Sequence, residues 1–483
     1  MELTDLTLCE IMSCLDQKEF SSVELTKAYL ARMEKFRSEI NCYITETPER
    51  ALADAAASDA RRAKNRALLL DGIPIGMKDL FCTKGIRTTA ASRMLENFVP
   101  QYESTVSQKL ADAGMVLLGK LNMDEFAMGG TSKTSFFGAP VNPWKRELRL
   151  TAGGSSGGSS AAVAAGLCAA ATGTDTGGSI RFPAAITGLV GHKPTYGLCS
   201  RFGCIAFASS LDTPGTITRT ASDAGFMLNE MSGFDPFEAT SESRKVFPEK
   251  PIKNLRIGII KEFGDIKISA DMKALFERRV AELKSLGCEV VEVSVPLALE
   301  ALAAYYIVAP AEASSNLARY DGVRYGFRAD ADNIIDMYEK TRAEGFGTEV
   351  KRRIIVGTAV LSSESYEKYF MQAARVRRLL SDSMDAAFEK CDLILTPASA
   401  DAAFPLSEDL APLSAYALDV FTILANLTGM PATSVPAGLN AAGLPLGIQI
   451  IGKRFDDWNC LMLAREIEKI TGFSFRPGEI TGA

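Results

Sequence analysis

The segment 151–195 constrains this chain more than any other, because it sets two clusters of glycine and serine around an alanine-rich run. The first is Gly153-Gly154-Ser155-Ser156-Gly157-Gly158 and the second Gly177-Gly178-Ser179. A flexible linker would not carry an Ala/Val run, a predicted strand over 167–172 and the charged stretch from Asp175 to Arg181. Glycine has no Cβ, so backbone N–H groups here can approach a ligand closely. The run 159–165 favours a helix, which places Ser155 and Ser156 near its N-terminus, and Pro183 permits a second helix start around Ser179. Unpaired N–H groups at such starts favour a developing negative charge.

One count narrows the chemistry. The chain has a single histidine, His192, so a base is either that imidazole or not histidine, and a metal site built on histidines is nearly excluded. The ten cysteines are scattered without a C-x-x-C pair and read as buried reduced thiols. A net charge of −6 marks no primary nucleic-acid binder, although an acidic protein can work beside one. Neither a secretory leader nor an apolar run of about 20 residues is found, so a cytoplasmic location without membrane contact is expected.

Along the chain, amphipathic helices are predicted over 22–35, with Ser22 as cap, and over 50–70. A buried strand or strand end follows over 71–81, with Lys78 among Ile73, Pro74, Ile75, Met77, Leu80 and Phe81. A helix over 104–113 and a strand over 115–120 come next. After the Gly/Ser segment, 202–210 reads as a strand with its loop, 223–231 as helix and 233–251 as an exposed connection. The stretches 255–261, 270–286 and 288–295 form a β-α-β unit. Helices over 297–317, 364–388 and 419–427, with strands over 392–396, 432–435 and 446–451, complete the pattern. Strands alternating with helices predict an α/β fold, a mixed central sheet covered on both faces. No repeat or strong boundary divides it, so one large domain is expected, with 1–70 as N-terminal helices packed on the core 71–483.

Four chemistries compete for the Gly/Ser segment. A phosphate-binding loop needs a Gly-Lys-Ser/Thr ending that neither cluster has. Asp175-Thr176-Gly177 matches the aspartic-protease triplet, but that mechanism needs a second copy, and there is none. Gly153-x-Ser155-x-Gly157, followed by Asp175 and His192, fits a nucleophile elbow in residue order but leaves too little chain between serine and histidine for strands to intervene. The fourth reading joins Lys78, Ser155 and Ser179 into a proton relay. Its lysine is desolvated and brought toward neutrality; the alternative is a snorkelling lysine paired with Asp79.

The stretches 153–159, D-T-G-G-S-I-R-F-P and G-I-P-I-G-M-K-D resemble the amidase signature family. That resemblance implies Ser179 as acyl-ester nucleophile, Ser155 as a bridging serine with a cis peptide, and Lys78 as base. It implies the N–H groups of Thr176, Gly177, Gly178 and Ser179 as oxyanion donors. More narrowly, K-L-N-M-D-E-F-A-M-G (120–129) and the segments 312–326, 344–354 and 418–431 resemble the glutaminase (A-type) subunits of amidotransferases acting on glutamyl-tRNA(Gln) or aspartyl-tRNA(Asn). In that subfamily glutamine is hydrolysed and ammonia passes to a B subunit, which uses ATP and Mg to activate aminoacyl-tRNA, while a small C subunit wraps the glutaminase. No cofactor is then expected on this chain. Glutamine would be held by Tyr305, Arg353, Asp419 and Gly129, with Arg353 on the α-carboxylate and Asp419 on the α-ammonium. Read from the residues alone, 351–353 is equally a solvated basic run and Asp419 a helix-start carboxylate.

The chain departs from the subfamily pattern at Phe182, His192, Gly130 and Asp212-Thr213-Pro214-Gly215-Thr216. Phe182 resembles other amidases, which keeps a free-standing amidase acting on another small or aryl amide as the alternative.

Overall fold

A computed structural model describes residues 2–243 and 252–482. Eleven strands form one sheet: β1 (Tyr43–Glu46), β2 (Pro74–Lys78), β3 (Val116–Leu121), β4 (Ala170–Asp175), β5 (Val190–Lys193), β6 (Thr213–Thr218), β7 (Arg256–Ile260), β8 (Glu289–Val293), β9 (Leu393–Pro397), β10 (Ala432–Leu439) and β11 (Pro445–Gly452). Their order is β1-β3-β2-β4-β6-β5-β10-β11-β9-β7-β8. β2 runs parallel to β3 and β4, and β7 parallel to β8 and β9, while the strands between pair antiparallel. The sheet is therefore mixed, as the alternation of elements predicts. Every residue of β2, β3, β4, β5, β6, β9 and β11 is buried, which requires cover on both faces.

The hydrophobic core is continuous across residue 70. Leu8, Ile11, Leu25, Tyr29 and Phe36 of the first two helices belong to the same buried cluster as Ile75, Leu118 and Ile450 of the sheet. The second helix, Ser22–Ile40, is capped by Ser21 rather than Ser22. Ser21 takes the N–H of Glu24 while the Glu24 carboxylate takes the N–H of Ser21. Ser22 instead lies inside the helix and donates its hydroxyl to the Gly72 carbonyl at 2.9 Å.

Other boundaries move for identifiable reasons. The helix expected over 50–70 ends at Ala63, where Asn65 turns to φ 53°. The strand expected over 167–172 begins at Ala170, because Leu167 still donates its N–H to Ala162 and closes the preceding helix. The segment 202–210 forms turns with one isolated bridge, Cys204 to Phe81. There the N–H groups of Phe207 and Ala208 go to the Asp212 carboxylate, and the strand forms after it, as β6. Helices Ile334–Gly345, Thr348–Val360 and Asp457–Thr471 add to the expected elements. Of the connection expected over 233–251, residues 244–251 lie outside the described residues. No helix among the described residues is long and apolar enough to cross a membrane.

Candidate active site

Lys78 is the last residue of β2 and fully buried. Its amine lies 2.8 Å from Ser155 Oγ, 2.9 Å from Ser156 Oγ and 2.8 Å from Thr174 Oγ1, with the Thr174 carbonyl at 3.4 Å. Among the described residues it makes no ion pair. Burial lowers its pKa to about 7, against the opposing pull of Asp124, Asp175 and Asp212. The snorkelling pair with Asp79 is not formed: β2 ends at Lys78, and Asp79 lies in the turn that follows. Asp79 takes the N–H and hydroxyl of Thr89 and stands 3.9 Å from a different buried lysine, Lys120.

The two serine clusters meet beside this amine. The Gly154–Ser155 peptide is cis, and the N–H of Asp124 donates to the Ser155 carbonyl at 3.1 Å. The helix Gly157–Ala164 starts immediately afterward, and the N–H of Ser156 donates to the carbonyl of Ser179 at 3.2 Å. Ser179 is nearly buried, and its hydroxyl makes no hydrogen bond among the described residues. Of the two contacts the relay requires of Ser155, the one to Lys78 is present, and no hydrogen bond joins its hydroxyl to Ser179 among the described residues.

The loop before Ser179 leaves the N–H groups of Thr176, Gly177 and Ser179 without a partner among the described residues, while Gly178 differs from expectation. Its N–H is taken by Asp175 Oδ1 at 2.8 Å, so it cannot also serve an oxyanion. Gly178 has φ 137°, and a Cβ there would stand 2.3 Å from Thr422 Oγ1, so the loop needs glycine at that point. Thr422 donates its hydroxyl to the Gly177 carbonyl at 2.5 Å, and a Cβ on Gly177 would strike the Tyr305 ring at 2.7 Å.

Beneath the loop lies a buried network. Arg181 bonds both oxygens of Asp175 through Nε (2.9 Å) and Nη2 (2.8 Å), and reaches Asn426 Oδ1 (2.6 Å) and the Thr422 carbonyl (2.9 Å). Burial pushes the Asp175 carboxyl up, but the Arg181 guanidinium outweighs it and holds the group at about 2. Asp175 therefore acts as an anchor for the loop that carries Ser179. His192 is also committed elsewhere. Its Nδ1 lies 2.8 Å from Thr433 Oγ1 and its Nε2 3.3 Å from Asp457 Oδ1. The elbow arrangement of Ser155, Asp175 and His192 is thus absent.

Tyr305 and Arg353 are buried, and the half-buried Asp419 joins them through Tyr306. Tyr305 meets Tyr306 edge-on with ring centroids 4.9 Å apart, and Tyr306 donates its hydroxyl to Asp419 Oδ2 at 2.9 Å. The Arg353 guanidinium faces the rings of Phe207, Tyr306 and Tyr416 at 5.3–5.8 Å, with Nε donating to Glu349 at 2.8 Å. The basic stretch 351–353 is therefore not uniformly solvated: Arg353 is buried. Burial lifts Asp419 to about 7, against its hydrogen bond from Tyr306. Gly129 lies on the Asp124 side, where a Cβ would stand 2.3 Å from the Asp124 carboxyl carbon.

Phe182 packs with Leu150, Ile186, Ala403 and Leu444 in a small separate apolar cluster. Sequence reasoning missed Ser156 and Thr174, which hold the lysine amine, and Tyr306 and Thr422, which hold Asp419 and Gly177. Ser156 was visible as the second serine of Gly-Ser-Ser-Gly, whereas nothing local marked the other three. Among the described residues no cluster of three or more His, Cys, Asp or Glu could hold a metal ion.

A mixed eleven-stranded sheet carrying a buried lysine against a Gly/Ser loop has the architecture of amidase signature enzymes. A bacterial aryl acylamidase of that family superposes with a TM-score of 0.86 at 26% identity, over 99% of each chain. The family model described as Amidase matches residues 24–461, so the chain belongs to the amidase family. Within it, the chain is 55% identical to the A-type subunit of the glutamyl-tRNA(Gln) amidotransferase of Caulobacter sp. (strain K31), over 98% of both chains. Its counterpart in Hyphomonas neptunium is 52% identical over 99% of both. The crystal structure of the Thermotoga maritima counterpart has a TM-score of 0.82 at 38% identity, covering 99% of this chain and 97% of that one.

Proposed function

We propose that this chain is the glutamine-hydrolysing subunit of a tRNA-dependent amidotransferase, making ammonia through an acyl-enzyme on Ser179. The observation that carries the chemistry is the buried Lys78 amine, near neutrality and 2.8 Å from Ser155 Oγ. Full-length similarity to proteins named for glutamyl-tRNA(Gln) amidotransferase carries the substrate.

A neutral amine has two N–H donors and one lone pair, so three hydroxyl neighbours cannot all accept from it. Ser156 donates its own hydroxyl to the Thr174 carbonyl at 3.3 Å and accepts from the lysine. The lone pair is then left for a hydroxyl proton from Ser155 or Thr174. In the reading favoured here Ser155 donates to Lys78 and accepts the proton of Ser179, whose oxygen attacks the carboxamide carbon of glutamine. The contact between the two serines closes on substrate binding, as catalytic hydrogen bonds commonly do. The N–H groups of Thr176, Gly177 and Ser179 stabilise the oxyanion. Collapse of the tetrahedral intermediate breaks the C–N bond, the proton returns through Ser155 to the leaving nitrogen, and ammonia departs. Water then attacks the ester along the same path, releasing glutamate and restoring Ser179.

Arg353 takes the α-carboxylate, Asp419 the α-ammonium, and Tyr305 and Gly129 border the glutamine. This chain needs no cofactor of its own in this reading. ATP and Mg belong to a B subunit that transamidates glutamyl-tRNA(Gln) or aspartyl-tRNA(Asn), a C subunit completes the assembly, and the complex works in the cytoplasm. The test is glutaminase activity of the full chain with and without co-expressed partner subunits, ATP and charged tRNA. Stimulation by them supports the proposal. Preferential turnover of an aryl or small amide, indifferent to partners, would support a free-standing amidase instead.

A further inference from the structure

Glu125 has no part in the chemistry above, yet it is buried in a position that joins two pieces of the site. It follows Asp124, whose N–H holds the Ser155 carbonyl, and its own N–H donates to Thr134 Oγ1 at 2.9 Å. One carboxylate oxygen accepts the Ser92 hydroxyl, and the other accepts the N–H of Gly347 at 2.9 Å. Ser92 Oγ also lies 3.3 Å from the Gly345 carbonyl, so the turn 345–347 meets the carboxylate directly at Gly347 and, at Gly345, meets the serine that the carboxylate holds. Gly347 is the N-cap of helix Thr348–Val360 and, being glycine, has no side chain with which to cap it. A Cβ on Gly347 would stand 2.4 Å from Glu125 Oε2, which shows how closely the carboxylate is seated. An ionised carboxylate at a helix N-terminus has the favourable sense toward the helix dipole, and burial, which raises Glu125 to about 7, opposes that charge.

That helix carries Arg353, held among the rings of Phe207, Tyr306 and Tyr416. We infer that Glu125 is a positioning residue for substrate selection: by fixing the start of helix Thr348–Val360 to the loop behind Ser155, it sets the distance between the Arg353 guanidinium and the nucleophile. Glutamine's α-carboxylate and its carboxamide lie at opposite ends of one short molecule, so an amidase selective for it needs that distance fixed. A simple amide, which has no carboxylate to place, does not. The inference rests on the assignment of Arg353 to the α-carboxylate.

The experiment compares glutamine with propionamide in the full chain, assembled with its partner subunits where these are required for activity. Glu125→Ala is expected to raise the KM for glutamine about tenfold or more with kcat held within about threefold, and to leave kcat/KM for propionamide unchanged. Glu125→Gln, which keeps the volume and one acceptor, should recover most of the loss and covers the case in which the alanine variant fails to fold. An unchanged glutamine KM in both variants, or equal losses on the two amides, would overturn the inference. Arg353→Ala separates it from the assignment beneath it. If that variant loses both amides equally, the carboxylate assignment itself fails; if it loses glutamine alone while the Glu125 variants do not, only the positioning role fails.

Discussion

The Lys78 amine and the Ser155 hydroxyl face each other at 2.8 Å in a fully buried site, with no carboxylate in ion-pair contact with the lysine among the described residues. A lysine so placed is kept near neutrality by desolvation and can accept a proton at ordinary pH. Lys78→Ala, Ser155→Ala and Ser179→Ala should each lower kcat for glutamine by about a thousandfold or more, and the double variants should lose little further, because in the proposed relay the three act as a unit. Steady-state assays of the purified variants check this. Additive losses would mean that the residues do not share one proton path.

The pH dependence should separate two groups that titrate together. In the proposed mechanism Lys78 works as the free amine and Asp419 as the carboxylate, and both stand at about 7, so activity is expected to fall as pH drops below that value. For glutamine, which needs both, the acid limb of log kcat/KM should approach a slope of two. For propionamide, which needs only the amine, the slope should be one. A slope of one for both would remove Asp419 from ammonium recognition.

Lys78 also links pH to stability. Its folded pKa of about 7 is depressed from the ordinary 10.5, so between these values the unfolded chain holds a proton that the folded chain does not. The stability difference between the native chain and Lys78→Met should therefore move in favour of the native chain as pH rises from 7 toward 10. Urea denaturation at three pH values would show it; a flat difference would mean that the lysine is protonated when folded.

Removing the Arg181 guanidinium would strand the Asp175 carboxylate in the interior. Arg181→Met is expected to cost about 3–5 kcal/mol, read from the denaturation midpoint. Because Asp175 is held at about 2, below its ordinary range, the pair's contribution is present above about pH 4 and fades as pH falls toward 2.

His192→Ala should leave glutamine turnover within about threefold while lowering stability by about 1–3 kcal/mol, since it removes a partner of Thr433 and Asp457. Loss of turnover at unchanged stability would restore the imidazole as the base. Phe182→Gln should likewise destabilise, by about 2 kcal/mol or more, without shifting preference between glutamine and an aryl amide, because Phe182 fills an apolar cluster.

The chain's order of residues determined the catalytic candidates. A lone histidine, a lysine inside an apolar strand and two Gly/Ser clusters already restricted which groups could move a proton, and hydrophobic periodicity located most strands. Tertiary structure decided which groups touch. Whether Lys78 paired with Asp79 or with Ser155 depended on the side each side chain turns to as β2 ends. Whether 202–210 became a strand depended on Asp212, whose carboxylate took the N–H groups a ladder would have used. Whether Gly178 served an oxyanion depended on Asp175, and the burial of Arg353 on rings contributed from three other segments. Neighbouring residues set the kind of group and its backbone preference, but burial and hydrogen-bond partners come from segments far apart in the chain, and these decide whether an amine is neutral, an N–H free or a carboxylate charged.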